Sequence, residues 1–427
     1  MEKCDFYLDM KLSFSTLILI FLFFCANNVL GQEVFYTRIY KENIRTLQVK
    51  TNGNPLSEPV IGLDGNDELV ISFDEMSHEG RSFSYEIKHC NADWTESQLS
   101  TAEFLQGFSR GYIDDYALSI TTTFLFTNYR FSLPNENVKF NVSGNYIINV
   151  FENINLENPV ASLRFYVVDP KVEIQPKVRG NTDTEIYKSL QQLDFDVLTR
   201  NYRIPDAHSE LKVVVQQNGR LDNAVAELKP TYYSSDRLSY MNNHKLIFEG
   251  GNEYHRIDFS SIYNYDERIN EIKFVRPHYE VFVAENFIQS NAPYQTDFDV
   301  NGKFVINYQN GLDSDLEADY MYVHFYLPME KQLENGDIYL GGNWNYNQMD
   351  DASRMNYDAY NKLYYKTLLL KQGGYNYQFW YLPKQTDKAL VRPIDGSHWQ
   401  TQNEYAVFVY HRPWGGRYDQ LIGVKIL

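Results

Sequence analysis

The chain has 427 residues, 43% hydrophobic and 16% aromatic, with 35 Tyr and 27 Phe, and a net charge of −17. This length exceeds one ordinary domain and sets an expectation of about two to four. The aromatic content excludes a disordered chain, and the acidity, with no offsetting Lys/Arg cluster, excludes a nucleic-acid binder.

The N-terminus reads as a secretory signal. Lys11 precedes an apolar core that runs from Leu12 to Cys25. That core is shorter than the roughly 20 apolar residues of a membrane span, and Lys11 supplies the positive flank. Glu2, Asp5 and Asp9 do not suit such a signal, so translation is expected to start at Met10. Cleavage before Gln32 makes residues 1–31 the signal peptide. Phe24 is too bulky in front of Cys25 for a lipoprotein. Of Cys4, Cys25 and Cys90, only Cys90 then survives, so no internal disulfide can form. No later segment resembles a membrane helix or a ladder of long barrel strands.

Short alternating runs follow. Leu69, Ile71 and Phe73 alternate with Val70, Ser72 and Asp74; Phe83, Tyr85, Ile87 and His89 alternate with Ser84, Glu86, Lys88 and Cys90. Period two places one set on a core face. Tyr146, Ile148 and Val150 repeat the pattern, as do Leu163, Phe165 and Val167, before Asp169-Pro170 breaks it. These strands predict a first immunoglobulin-like β-sandwich over 32–170. A second β domain is expected over 171–312, from the rows Leu193/Phe195/Val197 and Leu211/Val213/Val215, the hairpin signal Asn218-Gly219 and a strand near Tyr279. The polar stretch Asp313-Ser314-Asp315 reads as a solvated linker opening a third β-sandwich over 313–427. Its strands include Val323/Phe325/Leu327, Leu363/Tyr365/Thr367/Leu369, Tyr375/Tyr377/Phe379/Tyr381 and Val407/Val409. No segment carries a sustained 3.6-residue apolar stripe, so the predicted class is all-β with little helix.

Catalytic signals are weak. Gly107-Phe108-Ser109-Arg110-Gly111 has nucleophile-elbow spacing, but that motif needs a helix after it and the downstream stretch is strand-like. No His-x-His or His-Glu-x-x-His pair occurs, and Asp313, Asp315 and Asp319 lack EF-hand spacing. Asp114-Asp115 and Asp350-Asp351 are adjacent carboxylates that a strand would point to opposite faces. No Gly-rich phosphate loop is present. The expectation is no enzyme, no cofactor and no metal, with Cys90 structural. Trp344, Tyr346, Trp399 and Trp414 stand near Gly, Asn or Pro in predicted connections and are the candidate partner-binding residues.

The run His89-Cys90-Asn91-Ala92-Asp93-Trp94-Thr95-Glu96-Ser97 resembles a signature of the type IX secretion system plug protein family. Tyr112-Ile113-Asp114-Asp115-Tyr116, Asn128-Tyr129-Arg130-Phe131, Ser143-Gly144-Asn145-Tyr146, Gln217-Asn218-Gly219-Arg220, Gly251-Asn252-Glu253-Tyr254-His255-Arg256, Glu317-Ala318-Asp319-Tyr320 and Tyr418-Asp419-Gln420-Leu421-Ile422-Gly423 continue the likeness along the chain. The resemblance implies a periplasmic, non-enzymatic protein of Bacteroidota. Such a protein docks on the outer-membrane β-barrel translocon and occludes its channel when no cargo is engaged. The last unit also resembles early-immunoglobulin carbohydrate-binding modules through Gly342-Asn343-Trp344-Asn345 and Gly374-Tyr375-Asn376-Tyr377-Gln378-Phe379. A periplasmic glycan-binding accessory protein is therefore the alternative expectation.

Overall fold

The computed structural model describes residues 34–153, 158–200 and 202–427. The expected signal peptide and its cleavage site lie outside the described residues. Among those residues the helices are single turns, Thr101–Phe104, Ala207–Glu210 and Ser314–Glu317, with two short 3-10 segments. The rest is sheet and loop, as the alternating rows predict.

The first sandwich packs two sheets. One runs Arg38–Ile39, Ala161–Val168, Gly144–Glu152, Phe83–Cys90, Arg110–Ile113, with Val60–Gly62 parallel on Ala161–Val168. The other runs Ile44–Thr51, Leu69–Glu75, Thr127–Leu133, Asp115–Leu118. The alternating rows meet in one core, where Ile71, Phe73, Phe83, Ile87, Tyr146 and Phe165 are all buried. Phe73, Phe83 and Tyr129 pack as a trio, two edge-on pairs and one stacked pair with centroids 4.7–5.4 Å apart.

The second sandwich departs from the expected domain limits. One of its sheets runs Glu173–Arg179, Leu190–Leu198, Arg237–Tyr240, Tyr232–Tyr233, with Ile247–Glu249 also on Leu190–Leu198. The facing sheet is Leu211–Gln217, Tyr405–His411, Gln420–Ile426. The last two strands of the chain, expected in the third unit, thus complete the second. Gln217 lies opposite Tyr405, 188 residues away.

The third sandwich is inserted between Glu249 and Tyr405. One sheet runs Ile269–Val275, His278–Val283, Tyr320–Pro328, Leu363–Lys371, Asn356–Asp358; the other joins His255–Asp258, Gly373–Pro383, Phe304–Ile306 and Gly336–Gly341. The expected boundary at 312/313 is therefore corrected, because strands on both sides of it share one core with Ile257, Val281, Val323 and Phe379. Asp313 is exposed, yet it is no linker. It caps the turn Ser314–Glu317 by accepting from Asp315 N, and Asp315 pairs with Lys50 at 3.2 Å. Period two identifies a strand but not its partner, and distant pairing decides the domain limits.

Residues 35–427 form one compact unit. The outer face of Tyr405–His411 explains much of this. Ala406, Phe408 and Tyr410 pack against Trp94, Ile147 and Tyr166 of the first sandwich, so the two sandwiches share a buried apolar seam.

Candidate docking surfaces and the polar locks behind them

The four candidate partner-binding aromatics do not form one surface. Trp344 turns inward, its Nε1 donating to the Asn376 C=O at 3.2 Å while the ring packs on the third core. Tyr346 has φ +59° and packs against the first core, its hydroxyl donating to the Leu47 C=O at 3.1 Å. Trp344 is committed to the third core and Tyr346 to the join between the first and third sandwiches. Trp399 and Trp414 belong to the second sandwich. Trp399 is half-buried, edge-on to Tyr187 at 4.9 Å. Trp414 is 95% exposed at the tip of the turn joining the last two strands. The backbone of Trp414 reaches Glu210 at one end of Leu211–Gln217, whereas Trp399 lies near the other end, where its C=O accepts from Gln191. Trp414 is the one of the four whose ring is free.

Behind these surfaces the sandwiches are locked by buried polar groups whose pairing partners the sequence does not show. Asp74, in the first, takes the Lys371 ammonium at 2.6 Å and the Tyr320 hydroxyl at 2.7 Å, both from the third. Its other oxygen accepts from Asn128 at 2.8 Å. Asp319 crosses the same join, accepting from Thr123 N and Phe124 N at 2.8 and 3.1 Å. Asp419 joins first to second by accepting from Ala92 N, Lys212 and Arg412 at 2.9, 2.9 and 2.8 Å. Lys303 connects Glu58 at 3.2 Å and Glu404 at 2.8 Å, one carboxylate from the first sandwich and one from the edge of the second. Burial, then the nearby Glu58 charge, push the Glu404 carboxyl up. Buried charges removed from water at this cost are held only where partners and hydrogen bonds surround them, which fixes one geometry. A cleft of about 180 Å³ remains at this three-way junction, lined by Gln48, Arg164, Gln216, Lys303 and Asn343 among others.

The signature His89 sits in an aromatic cage. Its ring is edge-on to Tyr146 at 4.9 Å and to Tyr418 at 5.4 Å, and Nε2 lies 3.4 Å from the Ser143 C=O. Burial pushes its imidazole down to about 4. The ring is neutral at pH 7 and cannot easily charge. The folded value lies below the unfolded one, so the associated stability is present above about pH 6.5 and is lost as pH falls toward 4, by up to about 3 kcal/mol. Melting curves are expected to show His89→Phe losing less stability than the wild-type chain between pH 7 and pH 4.5. Parallel losses in the two would assign the acid sensitivity elsewhere.

Cys90 is buried and its thiol is pushed up to about 12 by burial, so it is not a nucleophile at neutral pH. Both glycines of Gly107-Phe108-Ser109-Arg110-Gly111 are explained by packing. Gly107 has φ +107° and a Cβ there would collide with the Asn137 C=O, while a Cβ on Gly111 would come within 2.5 Å of the Tyr85 ring. The strand Arg110–Ile113 follows, where an elbow requires a helix. Among the described residues no group of three or more His, Cys, Asp or Glu is arranged to hold a metal ion, and no helix is long and apolar enough to cross a membrane.

The surface that sequence reading passed over is the corner Tyr112-Ile113-Asp114-Asp115-Tyr116. It was legible as a signature and a carboxylate pair, and it joins an edge strand of each sheet of the first sandwich and leaves both tyrosines exposed.

Comparisons with known proteins agree with this architecture. Residues 44–169, which span almost all of the first sandwich, match the family described as Type 9 secretion system plug protein 1st domain. Fourteen chains of solved structures match. One is a hypothetical protein from Parabacteroides merdae ATCC 43184, 41% identical with a TM-score of 0.91, the match covering 93% of this chain and all of that one. The comparison with curated proteins returned no match. With a first sandwich that coincides with the matched domain, and its signature residues His89, Cys90, Trp94, Tyr129 and Tyr146 buried in core and seam, the chain belongs to the type IX secretion system plug protein family.

Proposed function

We propose that the chain is a periplasmic plug that docks on the outer-membrane β-barrel translocon of the type IX system and occludes its channel when no cargo is engaged. The observation that carries this reading is the plug-family match over the first sandwich. Its physical support is the continuity of the body behind that domain. Three sandwiches tied by Asp74–Lys371, Asp419–Ala92 N and Lys303–Glu404 present a broad, preformed surface with little ordering cost on binding. A stopper acts by excluded volume and needs no catalytic chemistry, cofactor or metal. Trp414 offers a free aromatic anchor to the partner, whereas Trp344 packs into the third core and Tyr346 bridges it to the first sandwich. The inward Trp344 ring gives the glycan-binding alternative less support.

The test is uptake of a bulky hydrophilic antibiotic such as vancomycin. Deleting this protein should raise uptake, and deleting the translocon as well should restore the barrier, because no open pore would remain. Cargo secretion need not stop, since cargo can enter an unplugged channel. Equal uptake in wild-type and single-deletion cells would count against plugging and favour the glycan-binding alternative.

A further inference from the structure

The strand Asp115–Leu118 is the outer edge of its sheet, paired only with Thr127–Leu133. Its register continues one step to Ser119, whose N–H donates to the Phe126 C=O at 2.9 Å. In an antiparallel pair successive residues alternate in the direction of their backbone groups. Asp115, Ala117 and Ser119 therefore bond inward, and the N–H and C=O of Tyr116 and Leu118 point outward. Among the described residues no other segment pairs with those groups.

Edges of this kind are usually protected by charge. The outer strand Ile269–Val275 of the third sandwich shows this, with the exposed pair Glu271 and Lys273 at 2.6 Å. Asp115–Leu118 carries no lysine or arginine. Instead its side chains leave Tyr116 49% and Leu118 40% exposed, beside Tyr112 at 59% on the adjoining edge strand. A groove opens beside the start of this strand, lined by Tyr112, Asp114, Asp115, Arg130 and Phe131. Asp115 is neutralised by Arg130 at 2.6 Å, while Asp114 has no ion-pair partner among the described residues.

We infer that Asp115–Leu118 is the docking edge, and that its occupant is an extended segment of the translocon that adds as a further strand. This rests on the plug reading above. The occupant is defined by complementarity. Its backbone meets the outward groups of Tyr116 and Leu118, an apolar side chain meets the tyrosines, and a Lys or Arg meets Asp114. Main-chain hydrogen bonds then supply affinity and the alternating side chains supply specificity.

The experiment places a photo-crosslinking amino acid at Leu118 in cells carrying the translocon, with Tyr360 and Trp414, 92% and 95% exposed, as comparison sites. Crosslinks from position 118 to the translocon are expected. Crosslinks to the translocon from Trp414 or Tyr360 but not from 118 leave plugging standing and overturn the docking edge. Crosslinks from 118 to a second copy of this chain, or to another protein, overturn the assigned occupant. No translocon crosslink from any of the three sites rejects both docking and edge.

Strand addition is read separately with Leu118→Pro, which removes an outward N–H and leaves the inward ladder intact. Co-purified translocon should fall at least about tenfold for Leu118→Pro and for Leu118→Lys, and stay at the wild-type level for Tyr360→Lys. Thermal melting of each purified variant separates lost docking from lost fold. Wild-type co-purification by a folded Leu118→Pro variant would overturn strand addition.

Discussion

A chain truncated after Glu404 is expected to lose its cooperative fold, although it keeps every strand of the first and third sandwiches. The two strands removed close two cores at once. Tyr405, Val407, Val409 and Ile422 face the second core, and Ala406, Phe408, Tyr410 and Leu421 form the seam with the first sandwich. Each large apolar side chain exposed by truncation costs about 1.5–3 kcal/mol, so the sum exceeds the 5–15 kcal/mol or so of net stability typical of a folded protein. Asp419 and Arg412 leave with them, so Lys212 and the Ala92 N–H lose that carboxylate. A chain ending at residue 312 should fare no better, since it lacks these strands and also cuts the third sandwich between His278–Val283 and its partner Tyr320–Pro328. Urea unfolding followed by circular dichroism decides the matter. A truncated chain with the full-length midpoint and slope would contradict the inserted topology.

Asp74→Ala is expected to destabilise the protein by about 3–5 kcal/mol, the cost of leaving a buried charge without its partner. Lys371 is fully buried with its ammonium 4.1 Å from the centre of the Phe126 ring, and without Asp74 its remaining hydrogen bond is to the Asp315 C=O at 2.7 Å. The Tyr320 hydroxyl loses the same carboxylate. Replacing both charges, as Asp74→Leu with Lys371→Met, should recover part of the loss, because no unpaired ion remains. Guanidinium midpoints of the two single variants and the double variant measure this directly. A single-variant loss below about 1 kcal/mol would show that water reaches the pair and that it is no lock.

Class, strand positions and kinship were determined by the sequence alone. The rows Leu69/Ile71/Phe73 and Tyr146/Ile148/Val150 alternate because successive side chains of a pleated strand face opposite sides and these rows share the first core, and that signal needs only neighbouring residues. The inserted third sandwich, the seam and the polar locks were decided by tertiary structure. Tyr405–His411 is buried along its whole length because it lies between two cores, so its side chains alternate between destinations rather than between core and water. Nothing within those seven residues names Leu211–Gln217 as partner. The aromatics followed the same division. Trp344 and Trp414 sit in similar Gly/Asn/Pro contexts, yet one packs on the third core and the other stands in solvent, because burial depends on which distant strand folds beside the loop.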